Sequence, residues 1–268
     1  QIPLNRPQGG TTPDGRTYTY TPNDCSVGDV DGDGEYEIIL KWDPSNSKDN
    51  SFHGYTGEVI LDCYKMSGKQ LWRVNLGKNI RAGAHYTQFM VYDFDGDGKA
   101  EMICKTAPGS VDGQGRFVSE AATEKAISQC DNQADYRTAK GRILSGEEFL
   151  SVFRGTDGKA LHTVWYNPNR NFGLGGKADY GEWGDQSYQG NRGERFLACV
   201  AYLDGADKHP SAVMCRGYYT PSYLWAVDFD GKQLKTKWLH SSLSPNDWTV
   251  TDADGKIVKE AHGVQATA

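Results

Sequence analysis

The stretch Gly28–Leu40, GDVDGDGEYEIIL, carries the pattern from which the fold of this chain can be predicted. Five acidic residues occupy every second position, and glycines stand on both sides of the third one. This spacing matches the first nine positions of a calcium loop, in which oxygens at every second position bind the ion and position 7 contributes its backbone carbonyl. We therefore predict a Ca²⁺ site. Its ligands are Asp29, Asp31, Asp33, Glu35 and Glu37.

A second copy of the loop, DFDGDGKAE, is found at Asp93–Glu101. Clustered carboxylates repel one another unless a hard cation lies between them, and oxygen-rich loops of this kind bind Ca²⁺. Two copies in one chain strengthen the prediction that Ca²⁺ is a cofactor. The second set of ligands consists of Asp93, Asp95, Asp97, Lys99 and Glu101, with Lys99 at position 7.

The residues beside the loops exclude the helical calcium-binding classes. EF-hands and dockerins carry helices next to the loop, whereas these loops are followed by the short apolar runs EIILKW and EMIC. Such runs are typical of strands. Each loop is therefore predicted to be the turn of a β-hairpin. By analogy with structural metal sites, we expect the metal to stabilise the turn rather than to take part in catalysis.

A second kind of hairpin recurs along the chain. It turns on Ser-Gly-Lys or Asp-Gly-Lys and continues into a strand that ends in tryptophan, as at Trp72, Trp165 and Trp238. Four strands per repeated unit are typical of a propeller blade, so we predict an all-β β-propeller whose inner hairpins bind calcium. The blades are predicted at about residues 23–77, 86–165 and 196–240, with a partial blade at 241–268. Three to four blades are fewer than most closed propellers have, so we expect the chain to be part of a longer protein.

Composition restricts the class of partner and the compartment. With 32 glycines, 12% aromatic residues and a net charge of −6, the chain fits a loop-rich β protein and has no basic patch for nucleic acid. No apolar run is long enough to predict a membrane span. The six cysteines fall mostly in strand-like runs, do not suggest a disulfide framework, and leave the compartment open. Calcium loops of moderate affinity favour a secreted, periplasmic or cell-surface location.

Polar residues gather at the end of the first hairpin that lies away from its acidic loop. Asn23, Asp24 and Asp43 meet there, and in a propeller Asn23 and Asp43 would lie side by side at the mouth of the channel. They could bind a polar ligand or a cation, or they could cap turns as Asx residues do. At the same end, Arg81 suits an anionic sugar and His85 a ligand or base, although purely structural roles are the simpler alternatives.

Longer strings in the chain resemble one known family. These are NDCSVGDVDGDGEYEIILKWDPSNSKDN (residues 23–50), NIRAGAHYTQFMVYDFDGDGKAE (79–101), ADYR (134–137), GNRGERFLACVAYLDG (190–205) and RGYYT (216–220). They closely resemble rhamnogalacturonan lyases of polysaccharide lyase family 11, and the resemblance covers essentially the whole chain. It implies an eight-bladed propeller with many calcium ions in a secreted bacterial protein, of which this chain would be the N-terminal half of the catalytic propeller.

The resemblance also implies a reaction. This is calcium-dependent cleavage of the rhamnogalacturonan I backbone of pectin by β-elimination at galacturonate, with the polysaccharide as partner of a monomeric enzyme. In this chain, Asn23 and Asp43 would contact the sugar and Asp24 would hold a further cation. No catalytic base is assigned, because the resemblance places the family's proposed base outside this chain, and endo and exo action are not distinguished.

Two other functions stay open. A non-catalytic, calcium-stabilised propeller module that binds a polysaccharide or protein partner would use the same loops only structurally. A glycoside hydrolase would need two opposed carboxylates at a defined separation, and Asp43 has no evident partner for that role.

Overall fold

The computed structural model of the protein describes residues 1–170, 190–218 and 222–242, together with the backbone of residues 248–251 and 257–261. In these residues the chain forms three four-stranded antiparallel sheets and two two-stranded hairpins. Within the described ranges, helix is limited to a 3-10 helix, Val118–Ala121, and one short α-helix, Lys125–Ser128. The predicted all-β class is therefore confirmed. No helix in the described part of the chain has the length and apolar character needed to cross a membrane.

The strands follow one another in chain order within each sheet. A first hairpin consists of β1 (Gly10–Thr11) and β2 (Thr17–Tyr18). Sheet 1 consists of β3 (Tyr20–Gly28), β4 (Glu37–Pro44), β5 (Ile60–Tyr64) and β6 (Gln70–Asn75). Sheet 2 consists of β7 (Phe89–Tyr92), β8 (Glu101–Thr106), β9 (Phe149–Phe153) and β10 (Ala160–Trp165). Sheet 3 consists of β11 (Phe196–Ala201), β12 (Ser211–Arg216), β13 (Tyr223–Phe229) and β14 (Leu234–Ser241), and β15 (Trp248–Thr251) and β16 (Ile257–Ala261) form a last hairpin.

The turns of the outer hairpins lie where the sequence predicts them. Gly68, Gly158 and Gly231 adopt φ values of 89°, 68° and 82°, a region that glycine enters without steric cost. The side chain of Asp157 accepts a hydrogen bond from the amide of Lys159, which closes the turn between β9 and β10. The fourth predicted turn, at residues 254–256, lies outside the described residues, as does most of the partial blade at 241–268.

Sheet 2 packs between the other two sheets. On one of its faces, Met102 and Phe149 belong to a buried cluster that also contains residues of sheet 1, such as Ile39. On the opposite face, Ile103 belongs to a cluster that also contains Trp225 of sheet 3. This alternation follows from the two-residue period of a strand, and each buried aliphatic or aromatic side chain contributes about 1.5–3 kcal/mol. The three sheets are therefore held together as a consecutive series.

Sheets 1 and 2 approach most closely beside their acidic loops. A Cβ atom at Gly28 would lie 2.8 Å from side-chain atoms of both Val91 and Ala100, so glycine is required at this position. The amide of Ala100 donates to the carbonyl of Asp29 at 2.7 Å, which links the first loop to the strand that follows the second. The two acidic loops are thus part of the contact between neighbouring sheets.

All six cysteines are free thiols, in agreement with the absence of a predicted disulfide framework. Cys63 and Cys104 are buried, but Cys25 and Cys199 are exposed. The exposed pair lies on β3 and β11, the first strands of their sheets, and no strand of the described residues pairs with their outer edges. A position in a strand-like run alone therefore did not predict that a cysteine is buried.

Candidate functional site

The first acidic loop connects β3 to β4 and is organised by its own carboxylates. Asp29 accepts hydrogen bonds from the amides of Gly32, at 2.7 Å, and Gly34, at 2.9 Å. Both glycines have φ values near the left-handed region, 79° and 86°, which lets the chain turn around the carboxylate. Glu37 is buried and accepts a hydrogen bond from the amide of Val30 at 3.0 Å. The first and last acidic positions of the loop therefore fix its shape.

The second acidic loop connects β7 to β8 and repeats the same bonds. Asp93 accepts from the amides of Gly96, at 2.7 Å, and Gly98, at 3.0 Å. Glu101 is buried and accepts from the amide of Phe94 at 3.0 Å. Because both copies of the nine-residue pattern fold alike, their local shape follows from the sequence of the loop itself.

The side-chain oxygens of each loop converge as a divalent cation would require. In each of two groups, one carboxylate oxygen per residue lies within 4.8 Å of the others. One oxygen of Asp31 is buried and lacks a hydrogen-bond partner among the described residues. Clustered hard oxygens with an unpaired acceptor suit Ca²⁺. The two groups are Asp29, Asp31 and Asp33 in the first loop and Asp93, Asp95 and Glu101 in the second.

The remaining predicted ligands lie beside these groups. Glu37 and Asp97 belong to neither group, although each lies in its loop. Glu35 and Lys99 occupy position 7, where only the carbonyl oxygen would bind, and their side chains are exposed. The assignment of individual ligands therefore stays a prediction.

Lys65, at the end of β5, makes the first loop different from the second. Its ammonium nitrogen lies 2.7 Å from Asp31, 2.9 Å from Asp33 and 3.4 Å from Glu37.

In the second loop, burial raises the pKa of Glu101 to about 8, and the nearby aspartates, Asp95 first among them, add to this rise. The raised pKa means that the ionised form of Glu101 is unfavourable without a nearby cation. A bound divalent ion would stabilise this ionised form.

The corresponding loop of sheet 3 does not carry the calcium pattern. Between β11 and β12, Asp204 forms an ion pair with Lys237 on β14. Among the described residues this loop provides no group of three clustered metal ligands. It therefore serves as an internal comparison for the two acidic loops.

At the opposite end of the first hairpin, β3 contains a β-bulge. The register shifts between Pro22 and Cys25, which leaves Asn23 and Asp24 together opposite Lys41. Asp24 forms an ion pair with Lys41 at 2.5 Å, while Asn23 is exposed. Bulges re-aim side chains and are common next to active sites.

Asp43 lies on β4 near this bulge but is not the direct neighbour of Asn23. It pairs across the hairpin with Thr21 and accepts a hydrogen bond from the hydroxyl of Ser47 at 2.9 Å. Asn23 and Asp43 are therefore not a cross-strand pair, and the expectation that they lie side by side at the mouth of a channel stays a prediction. Both residues nevertheless lie at the end of the sheet away from the acidic loop.

Arg81 has a structural role. Its guanidinium is buried and donates to the carbonyls of Phe52, at 2.7 Å, and Gly54, at 3.0 Å, and it also bonds the hydroxyl of Tyr86. These bonds attach the loop after β4 to the segment that leads into β7. The simpler of the two alternatives for Arg81 is therefore confirmed.

His85 lies in a group of charged and aromatic side chains at the same end of the sheets. Its Nδ1 lies 3.0 Å from the carboxylate of Asp49, and its Nε2 lies 3.4 Å from Nη1 of Arg195. The guanidinium of Arg195 lies over the ring of Tyr218, 4.3 Å from its centroid. We call these four residues the His85 cluster. Sequence reasoning identified His85 but not its three partners, because they are distant in the chain.

A buried ionic network lies between sheets 2 and 3. Glu148 is fully buried and binds Lys105 at 2.8 Å, Arg170 at 2.9 Å and Arg216 at 2.6 Å. Arg170 and Arg216 also bind Glu194, at 2.8 Å and 3.1 Å. Burial alone would raise the pKa of Glu148, but the three cations outweigh it and hold the pKa well below its usual range. This network was not predicted, since single buried charges leave no periodic signal in the sequence.

One protein-family model matches almost the whole chain. The family model described as Rhamnogalacturonan lyase family 11, C-terminal domain, matches residues 1–259. The expectation of an N-terminal half is not confirmed by this match, because the model describes a C-terminal domain.

Curated relatives are found in Bacillus subtilis (strain 168). The chain is 55% identical to rhamnogalacturonan exolyase YesX over 265 residues, which covers 95% of this chain and 40% of that protein. It is 57% identical to rhamnogalacturonan endolyase YesW over 247 residues, covering 92% of this chain and 36% of that protein. The chain therefore spans about two fifths of the length of these relatives.

Solved structures share the fold. The chain is similar to the Bacillus licheniformis rhamnogalacturonan lyase PL11, with a TM-score of 0.81, 56% identity and coverage of 91% of this chain and 38% of that one. It is also similar to the exotype rhamnogalacturonan lyase YesX, with a TM-score of 0.82, 50% identity and coverage of 97% and 44%. Both likenesses extend over nearly all of this chain.

Proposed function

The chain belongs to rhamnogalacturonan lyase family 11, and from this premise we propose that it forms part of a calcium-dependent rhamnogalacturonan lyase. The observation that carries the proposal is the identity above 50% to two rhamnogalacturonan lyases over at least 92% of this chain. Because the chain spans only part of these relatives, the activity concerns the whole lyase to which it contributes.

We infer that sheets 1 to 3 are consecutive blades of a β-propeller, at about residues 23–77, 86–165 and 196–240. Each sheet has four antiparallel strands in chain order, and each face of sheet 2 packs against a neighbouring sheet, which supports this arrangement. The position of these blades in the N-terminal half of the propeller stays a prediction.

The acidic loops are proposed to bind Ca²⁺ in a structural role. Bound calcium would neutralise the clustered carboxylates and fix the two hairpin turns at the contact between sheets 1 and 2. The ligand groups Asp29, Asp31 and Asp33, and Asp93, Asp95 and Glu101, would hold it, with the carbonyls of Glu35 and Lys99 and the carboxylates of Glu37 and Asp97 completing the loops. A calcium-stabilised fold of this kind favours a secreted, periplasmic or cell-surface protein.

The opposite end of the sheets is proposed to bind the sugar. Asn23 is exposed on the bulge of β3, and Asp43 lies near it on β4. The Asn23 amide can donate to and accept from sugar hydroxyls, and the Asp43 carboxylate can accept from them, which suits a rhamnogalacturonan backbone. Asp24 is paired with Lys41, so a further cation at Asp24 would have to displace that ammonium group.

The reaction proposed for the whole lyase is β-elimination at galacturonate. A base removes the proton from C5, the electron pair forms a C4–C5 double bond, and the glycosidic oxygen at C4 leaves with its electrons. Negative charge develops on the adjacent carboxylate, so cationic groups facing that carboxylate would stabilise the transition state. No residue of this chain is assigned as the base.

The test is to incubate the whole lyase that contains this chain with rhamnogalacturonan I and Ca²⁺ and to follow the ultraviolet absorbance of the unsaturated uronate product. Rising absorbance on this polymer, and none on homogalacturonan, is the expected result. Binding of the polymer without a rise in absorbance would favour the alternative of a non-catalytic, calcium-stabilised propeller module. Absence of both binding and absorbance would overturn the proposed function.

A further inference from the structure

A small cavity opens beside the His85 cluster, at the end of the sheets where Asp43 lies. It has a volume of about 160 Å³ and is lined by His85, Arg195 and Tyr218, together with residues of β11 and β12. Asp49 lies on the loop after β4, and Asp43 lies near the end of β4, so the cavity and the proposed sugar-binding residues share one end of the sheets. The acidic loops are at the other end of the same hairpins.

Arg195 brings hydrogen-bond donors to this cavity that the described residues do not use. Its Nε is buried without a hydrogen-bond partner, and its contact to His85 involves only Nη1, at 3.4 Å. No carboxylate among the described residues lies within ion-pair distance of this guanidinium. A planar guanidinium with spare donors matches the two oxygens of a carboxylate.

His85 is held so that its second nitrogen faces Arg195. The carboxylate of Asp49 lies 3.0 Å from Nδ1, and it also accepts hydrogen bonds from the amide and hydroxyl of Ser51. A carboxylate on one ring nitrogen determines which way the other nitrogen points. The Nε2 atom of His85 is thereby placed beside the guanidinium, where it accepts from Nη1 of Arg195.

The backbone holds the two sides of the cluster together. The amide of Phe196 donates to the carbonyl of His85, and the amide of Gly217 donates to the carbonyl of Arg195, both at 2.9 Å. Glu194, the neighbour of Arg195, is bound within the buried ionic network by Arg170 at 2.8 Å. A binding group fixed in this way loses little conformational entropy when a ligand binds.

We propose that the His85 cluster is a subsite for the carboxylate of a hexuronate residue, with Arg195 as the residue that determines acidic specificity. The inference rests on the proposed function, since it assumes that this end of the sheets receives an acidic polysaccharide. Arg195 binds both oxygens of the carboxylate, His85 orients the guanidinium through its contact to Nη1, and the Tyr218 ring holds the guanidinium plane through a cation–π contact.

The test compares two forms of one ligand by isothermal titration calorimetry. The first form is a rhamnogalacturonan oligosaccharide, and the second is the same oligosaccharide with its carboxylates reduced to alcohols. In the wild-type protein the acidic form is expected to bind more tightly. Arg195→Gln is expected to weaken binding of the acidic form by roughly 10-fold or more, because charge-assisted hydrogen bonds are lost, and to leave binding of the reduced form unchanged.

Two further variants keep the test specific. Arg195→Lys retains the charge but not the two-pronged geometry, so a loss smaller than that of Arg195→Gln is expected. Arg16→Gln removes an exposed arginine whose partner is Asp14 and is expected to have no effect on either ligand. Circular dichroism and thermal melting establish that each variant is folded.

The results distinguish failure of the proposed subsite from failure of the proposed function. If wild-type protein binds both forms equally, or if Arg195→Gln weakens both equally or neither, the subsite is overturned while the proposed function stands. If wild-type protein binds neither form, the proposed function is overturned, and the subsite with it.

Discussion

The ammonium nitrogen of Lys65 lies 2.7 Å from an oxygen of Asp31, inside the first acidic loop. The corresponding residue at the end of β9 is Arg154, which binds Asp157 of its own turn at 2.6 Å and does not enter the second loop. The two loops share their sequence pattern and the backbone hydrogen bonds to their first and last acidic residues, but the first loop has an ammonium group that the second lacks among the described residues. Their behaviour without calcium should therefore differ.

Removal of calcium is expected to lower the thermal stability of the protein. At a calcium concentration of about 100 times the Kd, one site contributes about 2.7 kcal/mol, which corresponds to a shift of roughly 5–10 °C in a chain of this size. Differential scanning calorimetry with and without EDTA measures it. Asp204→Asn, in the loop of sheet 3 that lacks the pattern, should leave the EDTA effect intact. An identical melting curve with and without chelator would contradict the calcium assignment.

The second loop is expected to depend on calcium more than the first, because no described ammonium group neutralises it. Asp95→Asn should therefore reduce the stabilisation by calcium more than Asp31→Asn does. Calcium titration by calorimetry at matched ionic strength distinguishes the two variants. A larger loss for Asp31→Asn would show that Lys65 does not compete with the ion.

Lys65→Met is expected to strengthen calcium binding at the first loop by roughly 10-fold, since the ion no longer displaces a charge that binds the same carboxylates. Without calcium the same variant should be less stable than wild type, because the carboxylates lose their counter-charge. Lys69→Met, in the turn that follows, provides a control that removes a lysine of the same hairpin. Unchanged calcium affinity in Lys65→Met would contradict the expectation.

Glu148→Gln is expected to destabilise the protein by about 3–5 kcal/mol at neutral pH, because it leaves three buried cations without their central partner. The pKa of Glu148 is lower in the folded protein than in the unfolded protein, where it is about 4.3. Ionised Glu148 therefore contributes its full stabilisation at pH values above the unfolded-state pKa. This stabilisation is lost as the pH falls through the folded-state pKa. Wild-type stability should therefore decline on acidification below about pH 4.3, and more steeply than that of Glu148→Gln.

Chemical denaturation across this pH range measures the effect. Glu120→Gln, at an exposed position, serves as the matched control and is expected to change stability by less than about 0.5 kcal/mol. Parallel acid profiles for wild type and Glu148→Gln would indicate that another carboxylate dominates acid unfolding.

In the whole lyase, Asp43→Ala is expected to lower activity by about 10- to 100-fold while costing about 1 kcal/mol or less of stability, because the carboxylate is only half-buried and keeps one side-chain bond, to Ser47. Activity on rhamnogalacturonan I and thermal melting are measured side by side. Ser47→Ala removes the partner and should reduce activity less. Equal losses of activity and of stability in Asp43→Ala would assign this residue a structural role.

Much of the fold follows from short-range pattern. The short apolar run EIILKW predicts β4, and the Ser-Gly-Lys and Asp-Gly-Lys turns predict the outer hairpins, because turn chemistry and strand propensity act over a few residues. The register at the other end of the first hairpin, where Asp43 pairs with Thr21, does not follow from such local pattern. A β-bulge shifts register by one residue and depends on how β3 fits its partner strand rather than on local propensity.

The sequence by itself determined the two acidic hairpins, since a nine-residue loop contains all the carboxylates that shape it and needs no distant partner. Only the tertiary structure decided that Lys65 forms ion pairs with the first loop, that Glu148 forms ion pairs with three cations, and that His85 contacts Arg195. The physical reason is that these contacts join residues on different strands or sheets. His85 and Arg195, for example, are 110 positions apart, and sheet packing rather than local pattern brings them together.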